Sequence, residues 1–196
     1  MIGKIAGNMA SFYARNDLIS GDEIESYKYG FEILLSTICN ILLVMAIAAV
    51  VGAVPGALCY MAAFALLRCV AGGYHAPSHA VCILEYAAGF AIFAAVAFFL
   101  PPLYSALYAL VCSIASAAVI LKWAPVEAPN KPLSTRKRLR LERLSLFVGA
   151  VFTLFAMTIS LAGLHSGLYI YVFSGELAAA LSVAAGSRLS KGANSR

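Results

Sequence analysis

The sequence predicts an all-α protein that crosses a membrane several times. Of its 196 residues, 62% are hydrophobic and 12% are charged, and the mean hydropathy is +0.88. A soluble domain needs a larger share of polar surface, so this composition indicates an integral membrane protein. The apolar residues are collected into six long runs bounded by polar residues, glycine or proline. We therefore predict a polytopic membrane protein with six transmembrane helices and an N-terminal interfacial helix.

The N-terminal segment, residues 1–29, is too polar to span a membrane. Its larger apolar residues recur at helical spacing, which predicts a short helix in the membrane interface (Ile2, Ile5, Met9 and Phe12, with Tyr13 beside them). An ordinary surface helix packed on the protein is an equal alternative. The segment Ser20–Glu23 has the composition of a turn followed by a helix start.

The six apolar runs are predicted to form a single membrane domain over residues 1–196. The first run, Phe31–Val54, contains about 24 residues, and roughly 20 are enough to cross a hydrocarbon core of about 30 Å. Glycine, proline or small polar residues separate the later runs where no long loop intervenes. The predicted spans are 31–54, 57–71, 83–100, 103–121, 144–164 and 168–185.

Basic residues follow a regular pattern along these spans. Half of the 14 Lys and Arg residues lie in the loop 122–143. The turns at 52–56, 101–103 and 165–167 contain none, whereas the N-terminal segment, the region 68–82, the basic loop and the C-terminal tail contain all 14. The positive-inside rule therefore predicts that both termini, the region 68–82 and the basic loop face the cytoplasm.

The basic loop does not have the features of a nucleic-acid surface. It carries no interleaved aromatic residues and no recognisable nucleic-acid motif, so we expect membrane lipids or an acidic ligand as its partner. The second part of the loop, Leu133–Arg143, is predicted to be helical and carries five of the charges (Arg136, Lys137, Arg138, Arg140 and Arg143).

The five cysteines show no CxxC spacing, and four lie in apolar runs (Cys39, Cys59, Cys69, Cys82 and Cys112 make up the set). A free cysteine in such a run behaves as a small hydrophobic residue. Neither a disulfide framework nor a zinc site is indicated, and we expect no cofactor and no bound metal.

Polar and reactive side chains gather in the region 68–82, between two apolar runs. Gly72 and Gly73 are expected to end the preceding helix, because glycine adopts backbone conformations that other residues avoid. Pro77 disfavours helix at the residue before it, and Ser78 is a plausible N-cap for the next helix. The residues between the two helices are therefore predicted to form a turn.

His75 lies in the predicted turn, and Cys82 lies just past the first turn of the next helix. The positive end of the helix dipole and a neighbouring imidazole both favour the thiolate, which is the nucleophilic form of cysteine. Such a pair supports acyl transfer through a thioester. The spacing alone leaves three alternatives open: an accidental His–Cys neighbourhood, His79 as the base, and Arg68 as a plain interface anchor instead of a group that binds a carboxylate or an oxyanion.

Two carboxylates lie within or beside the apolar runs. Placing an acidic side chain in hydrocarbon costs free energy, so such residues often have a function. Glu85 follows Cys82 by three residues and could orient a histidine as a third catalytic group, or it could be an interface residue. Glu176 lies near the middle of the last span. It either forms hydrogen bonds within the helix bundle or marks a polar pathway.

The motif Arg-x3-Gly-Gly-x-His-Ala, with a cysteine seven residues after the histidine, closely resembles the accessory gene regulator protein B family, AgrB. The resemblance extends to Tyr29–Glu32, to Ala124–Glu127 and to Asn130–Pro132, in order and with six predicted spans. AgrB proteins are membrane cysteine endopeptidases of Gram-positive bacteria. They cut a small precursor peptide, AgrD, retain the remaining peptide as a thioester, and help to convert it into a cyclic quorum-sensing signal.

The resemblance implies that His75 and Cys82 are the catalytic pair. It places Arg68, Gly72 and Gly73 among the residues that the family needs around the site, whereas Glu85 has no counterpart that can be carried over. It further implies an AgrD-like peptide as partner and a homodimer.

Two other functional classes remain as alternatives. A small-peptide or ion transporter would use Glu176, Arg68 and the histidines to line a pathway, although the polar residues gather at one face and not at the midplane. A non-enzymatic scaffold would need no reactive cysteine.

Overall fold

The computed structural model describes residues 1–74, 76, 78–127 and 133–193, and of residues 189–193 the backbone alone. The described chain is helical, with no strand apart from an isolated bridge between Gly72 and Val126. In chain order the helices are α1 (Ile2–Arg15), α2 (Ile24–Val50), α3 (Val54–Ala71), α4 (His79–Phe99), α5 (Ser105–Trp123), α6 (Thr135–Leu161) and α7 (Gly167–Ala193), with 3-10 turns at Gly21–Glu23 and Pro102–Tyr104.

Six of these helices, α2 to α7, are long and apolar enough to cross a membrane. The predicted all-α polytopic membrane fold is therefore confirmed. The helices differ in extent from the predicted spans: α2 runs from Ile24 to Val50, α3 begins at Val54, and α5 runs from Ser105 to Trp123. Helix α4 begins at His79, α6 begins within the basic segment at Thr135, and α7 continues to Ala193.

The contacts divide the chain into two compact units, Met1–Ile47 with Ala76–Ala87, and Ala48–His75 with Ala88–Arg196. A single domain over residues 1–196 stays a prediction.

In the first unit, α1 packs against α2 through small residues. Ala6 and Ala10 are buried, and a side chain added at Gly3 would lie 3.1 Å from Oε1 of Glu32. Of the larger apolar side chains, Ile5, Phe12 and Tyr13 are exposed, whereas Ile2 and Met9 are partly buried. An interfacial helix has such an exposed apolar face, and its position in the membrane remains a prediction.

The predicted turn and helix start at Ser20 are confirmed. The Ser20 hydroxyl donates a hydrogen bond of 2.7 Å to Oε2 of Glu23, and the same carboxylate oxygen accepts the backbone N–H of Ser20 at 3.0 Å. These contacts belong to a capping box, which supplies partners for backbone groups at a helix start.

In the second unit, α7 packs against both α3 and α5, and α6 packs against α5 and α3. Close approach depends on small residues, as is usual between membrane helices. A side chain at Gly56 would lie 2.6 Å from the ring of Tyr171, and one at Gly175 would overlap the carbonyl oxygen of Tyr60. One apolar cluster joins the end of α3 to α5 and α7 through Leu67, Ala71, Ile120, Ala179, Ala180 and Val183.

Candidate active site

Helix α3 ends as the sequence predicts. Its last residue is Ala71, and Gly72 follows with φ of 69° and donates its N–H to the carbonyl oxygen of Arg68 at 3.2 Å. Gly73 has φ of 139°. Both angles lie in the region that L side chains avoid, so the helix break depends on the glycine pair.

The segment Gly72–Tyr74 is fixed by hydrogen bonds to other parts of the second unit. The N–H of Val126 donates to the carbonyl of Ala71 at 2.9 Å, which places Val126 beside Gly72. The N–H of Tyr74 donates to the carbonyl of Ser182 on α7 at 2.8 Å. The chain immediately before position 75 therefore has a defined path.

Arg68 completes this arrangement from the last turn of α3. Its guanidinium group donates a hydrogen bond to the carbonyl oxygen of Tyr74. A side chain at Gly73 would overlap this guanidinium group, and a side chain at Gly72 would overlap the carbonyl oxygen of Val126. The structure thus brings together three of the residues that the sequence analysis selected: Arg68, Gly72 and Gly73.

His75 and Pro77 lie outside the described residues. The role of His75 as general base stays a prediction.

Cys82 lies on α4, in the first unit. The Ser78 hydroxyl accepts the N–H of Val81 at 3.3 Å, and the carbonyl of Ser78 accepts the N–H of Cys82 at 3.1 Å. The predicted N-cap is thereby confirmed, and Cys82 follows the first turn of the helix. Its side chain is exposed, so a reactant could reach the sulfur atom.

Glu85 is also exposed on α4, and no described residue forms a hydrogen bond or ion pair with its carboxylate. Of the two described histidines, His79 contacts an acid: its Nε2 lies 3.4 Å from Oε2 of Glu32 on α2. The sequence offered Glu85 as an orienting acid or an interface residue, and it gave Glu32 no catalytic role. A signal was present, because Glu32 is a lone carboxylate at the start of the first apolar run.

The basic residues of the predicted loop extend into α6. Arg136, Lys137, Arg140 and Arg143 line a shallow depression at the start of this helix. Arg138 lies 3.7 Å from Oε1 of Glu127, so its charge has an acidic neighbour. The depression lies on a strongly positive surface that is suited to an anionic ligand.

A comparison with protein-family models matched this chain to Accessory gene regulator B over residues 6–183. The chain belongs to the AgrB family. AgrB proteins are associated with the processing of autoinducing peptides, and the family implies an AgrD-like precursor peptide as partner. Neither a curated protein nor a solved structure gave a significant match to the chain.

The AgrB match does not account for a polar network among α5, α6 and α7. Glu176 is fully buried, and its Oε1 accepts a hydrogen bond from the Ser113 hydroxyl at 3.3 Å. Ser113 also lies 3.3 Å from Oγ1 of Thr153, and Tyr108 pairs with Ser174 at 2.8 Å. Oε2 of Glu176 has no hydrogen-bond partner among the described residues.

The described side chains of this AgrB-family chain do not form an evident metal site. Among the described residues, no three His, Cys, Asp or Glu side chains lie close enough together to bind a metal ion. None of the five cysteines, all of them described, is in a disulfide.

Proposed function

We propose that this AgrB-family protein is a membrane cysteine endopeptidase that cuts a small AgrD-like precursor peptide. The observation that carries the proposal is the position of Cys82, exposed and directly after the first turn of a capped helix, in a chain of this family. A helix N-terminus stabilises negative charge, which is what a thiolate nucleophile requires. The residues that precede His75 have a defined path, as a base of fixed position requires.

In the first step, Sγ of Cys82 attacks the carbonyl carbon of the scissile peptide bond. His75 takes the thiol proton and delivers it to the departing amine nitrogen, so the C–N bond breaks and a thioester to Cys82 remains. The C-terminal part of the precursor leaves with the new amine.

In the second step, an internal cysteine thiol or serine hydroxyl of the retained peptide attacks the thioester carbon. A ring closes as a thiolactone or lactone, and the sulfur of Cys82 recovers its proton. Attack by water would instead release a linear acid. Capture by an internal group conserves the acyl bond that hydrolysis discards, which makes ring formation chemically feasible.

The remaining predicted site residues have supporting roles in this proposal. Arg68, Gly72 and Gly73 shape the chain before His75, and their contacts support that role. Glu85 is proposed as an acid near the site, one turn after Cys82. The Lys and Arg distribution supports a cytoplasmic site, and the positive surface at the start of α6 supports attraction of an acidic precursor tail or anionic lipid.

The deciding experiment is co-expression of the full chain with a candidate precursor peptide. Mass spectrometry follows the precursor, its fragments and any adduct of Cys82, in the wild type and in Cys82→Ala and His75→Ala. We expect cleavage in the wild type and none in either variant. Cleavage that survives in Cys82→Ala would refute the proposal.

A second candidate, a small-peptide or ion transporter, is favoured by Glu176, a buried acid whose Oε2 has no partner among the described residues. Labelling with a thiol reagent separates the two candidates. An endopeptidase has a Cys82 that reacts faster than the other four cysteines near neutral pH, whereas a transporter gives no reason for such a difference.

A further inference from the structure

We propose that Ser182 and Gly186 of α7 are positioning residues for the catalytic histidine. Neither was selected from the sequence. The inference rests on the proposed function, because it assigns to α7 the task of placing the chain that leads into His75. The two residues act on the backbone of Gly73 and Tyr74, and they are not expected to contact the substrate.

The first observation is the hydrogen bond between the N–H of Tyr74 and the carbonyl of Ser182, at 2.8 Å. In an α-helix, the carbonyl of residue i points towards the N–H of residue i+4, so the carbonyl of Ser182 points towards Gly186. A donor from outside the helix can reach such an oxygen when the residue at i+4 leaves space beside it. Gly186 leaves that space because it has no Cβ.

The second observation is the room available at Gly186. A Cβ atom placed there would lie 2.7 Å from the nitrogen of Tyr74 and 2.8 Å from the carbonyl carbon of Gly73. Both are backbone atoms, so no rotation of a side chain could relieve the overlap. A methyl group at this position must displace the segment that runs into His75, or α7 itself.

The third observation is that the connection, like α7, lacks room for a side chain where the two meet. A Cβ atom at Gly73 would lie 2.8 Å from Oγ of Ser182, so the two small residues on α7 face the backbone of Gly73 and Tyr74. Arg68 and Val126 fix the same segment from α3 and from the chain after α5. Helix α7 supplies a further surface that helps to determine where the backbone of Tyr74 lies.

Displacement of a general base lowers the catalytic rate, because a misplacement of about 1 Å can reduce that rate roughly 100-fold. We therefore expect Gly186→Ala to lower kcat for precursor cleavage between about tenfold and 100-fold, with KM changed by less than about twofold. The matched control is Gly167→Ala on the same helix. Nothing lies within 4 Å of a Cβ at Gly167, so this variant should keep the wild-type kcat.

A change that only loosened the fold would lower activity without changing the chemistry of Cys82 in the folded fraction. The test therefore includes the rate at which Cys82 is alkylated by iodoacetamide at fixed pH in the full-length protein in nanodiscs, followed by mass spectrometry. We expect Gly186→Ala to react at a rate close to that of His75→Ala, and Gly167→Ala to react like the wild type.

Two further measurements keep the inference testable if Gly186→Ala folds poorly. Ser182→Val should also lower kcat, because it adds bulk against Gly73. Hydrogen exchange at the amide of Tyr74 should accelerate in Gly186→Ala and in Ser182→Val.

The outcomes distinguish this inference from the proposed function. If Cys82→Ala still cleaves the precursor, the proposed function fails and the inference fails with it. If Cys82→Ala and His75→Ala are inactive while Gly186→Ala and Ser182→Val keep the wild-type kcat, alkylation rate and exchange rate, the proposed function stands and the inference alone is overturned.

Discussion

Nε2 of His79 lies 3.4 Å from Oε2 of Glu32, so the first residue of α4 contacts an acid on α2. The histidine that rivals His75 as a base is therefore already engaged in a side-chain pair. This contact gives His79 a structural role in joining two helices of the first unit.

We expect mutation of His75 to lower precursor cleavage much more than mutation of His79. His75→Ala should lower precursor cleavage by a factor of about 100 to 10,000, the usual contribution of a general base. His79→Gln should lower it by less than about tenfold, because a neutral side chain can still meet Glu32. Initial rates of cleavage in nanodiscs would measure both. Equal losses in the two variants would contradict the assignment of His75.

Gly72→Ala is expected to destabilise the protein more than a substitution at another glycine of similar φ. Gly72 has φ of 69° and faces the carbonyl of Val126, whereas Gly52 has the same φ of 69° with nothing within 4 Å of a Cβ. With its ψ of −147°, Gly72 also lies near a backbone region that essentially only glycine adopts, at a cost of about 1–3 kcal/mol for other residues. Thermal unfolding should therefore show a larger loss for Gly72→Ala than for Gly52→Ala. Equal losses would mean that the contact with Val126 adds nothing.

Reversing charges at the start of α6 should weaken the processing of an acidic precursor. In the triple variant Arg136→Glu, Arg140→Glu and Arg143→Glu, we expect KM to rise, and in the wild type we expect KM to rise with salt because exposed charges are screened. A single reversal at Arg15 on α1 is a control for a basic residue outside the depression. Unchanged processing with unchanged topology in the triple variant would remove the proposed role of this surface.

Glu176→Gln should leave cleavage within about twofold of the wild type, because the amide keeps an acceptor for Ser113 and retains the shape of the side chain. Glu176→Ala opens a cavity in the buried network and should destabilise the protein by about 2–4 kcal/mol. Unfolding in detergent and cleavage rates would be measured on the same preparations. A large loss of cleavage in a stable Glu176→Gln protein would contradict a purely structural role for Glu176.

The sequence predicts much of the fold because its signals are local. Gly72 and Gly73 end a helix, Ser78 starts the next one, and apolar runs mark the spans; each signal needs only its immediate neighbours. The contact of Tyr74 with Ser182 joins positions more than about 100 residues apart, and its determinants are a backbone carbonyl and a missing Cβ at Gly186. Residue chemistry gives no signal for either, so the contribution of α7 to the site could not be predicted.

The contrast between local and long-range contacts also applies to Glu85 and Glu32. Glu85 follows Cys82 by three residues in the sequence, whereas the acid that contacts the described histidine His79 is Glu32, 47 residues before it. Proximity along a chain is a good guide within one helix and a poor one between helices.

Helix α6 runs without interruption from the basic residues at its start to Leu161. At 1.5 Å per residue, its 27 residues measure about 40 Å, whereas the hydrocarbon core of a bilayer measures about 30 Å. The basic turns are therefore a stiff extension of a membrane span. A ligand that binds these charges would be held at a fixed distance from the bilayer surface. The length of the helical extension would therefore set how far a peptide tail must extend from the membrane to reach the charges.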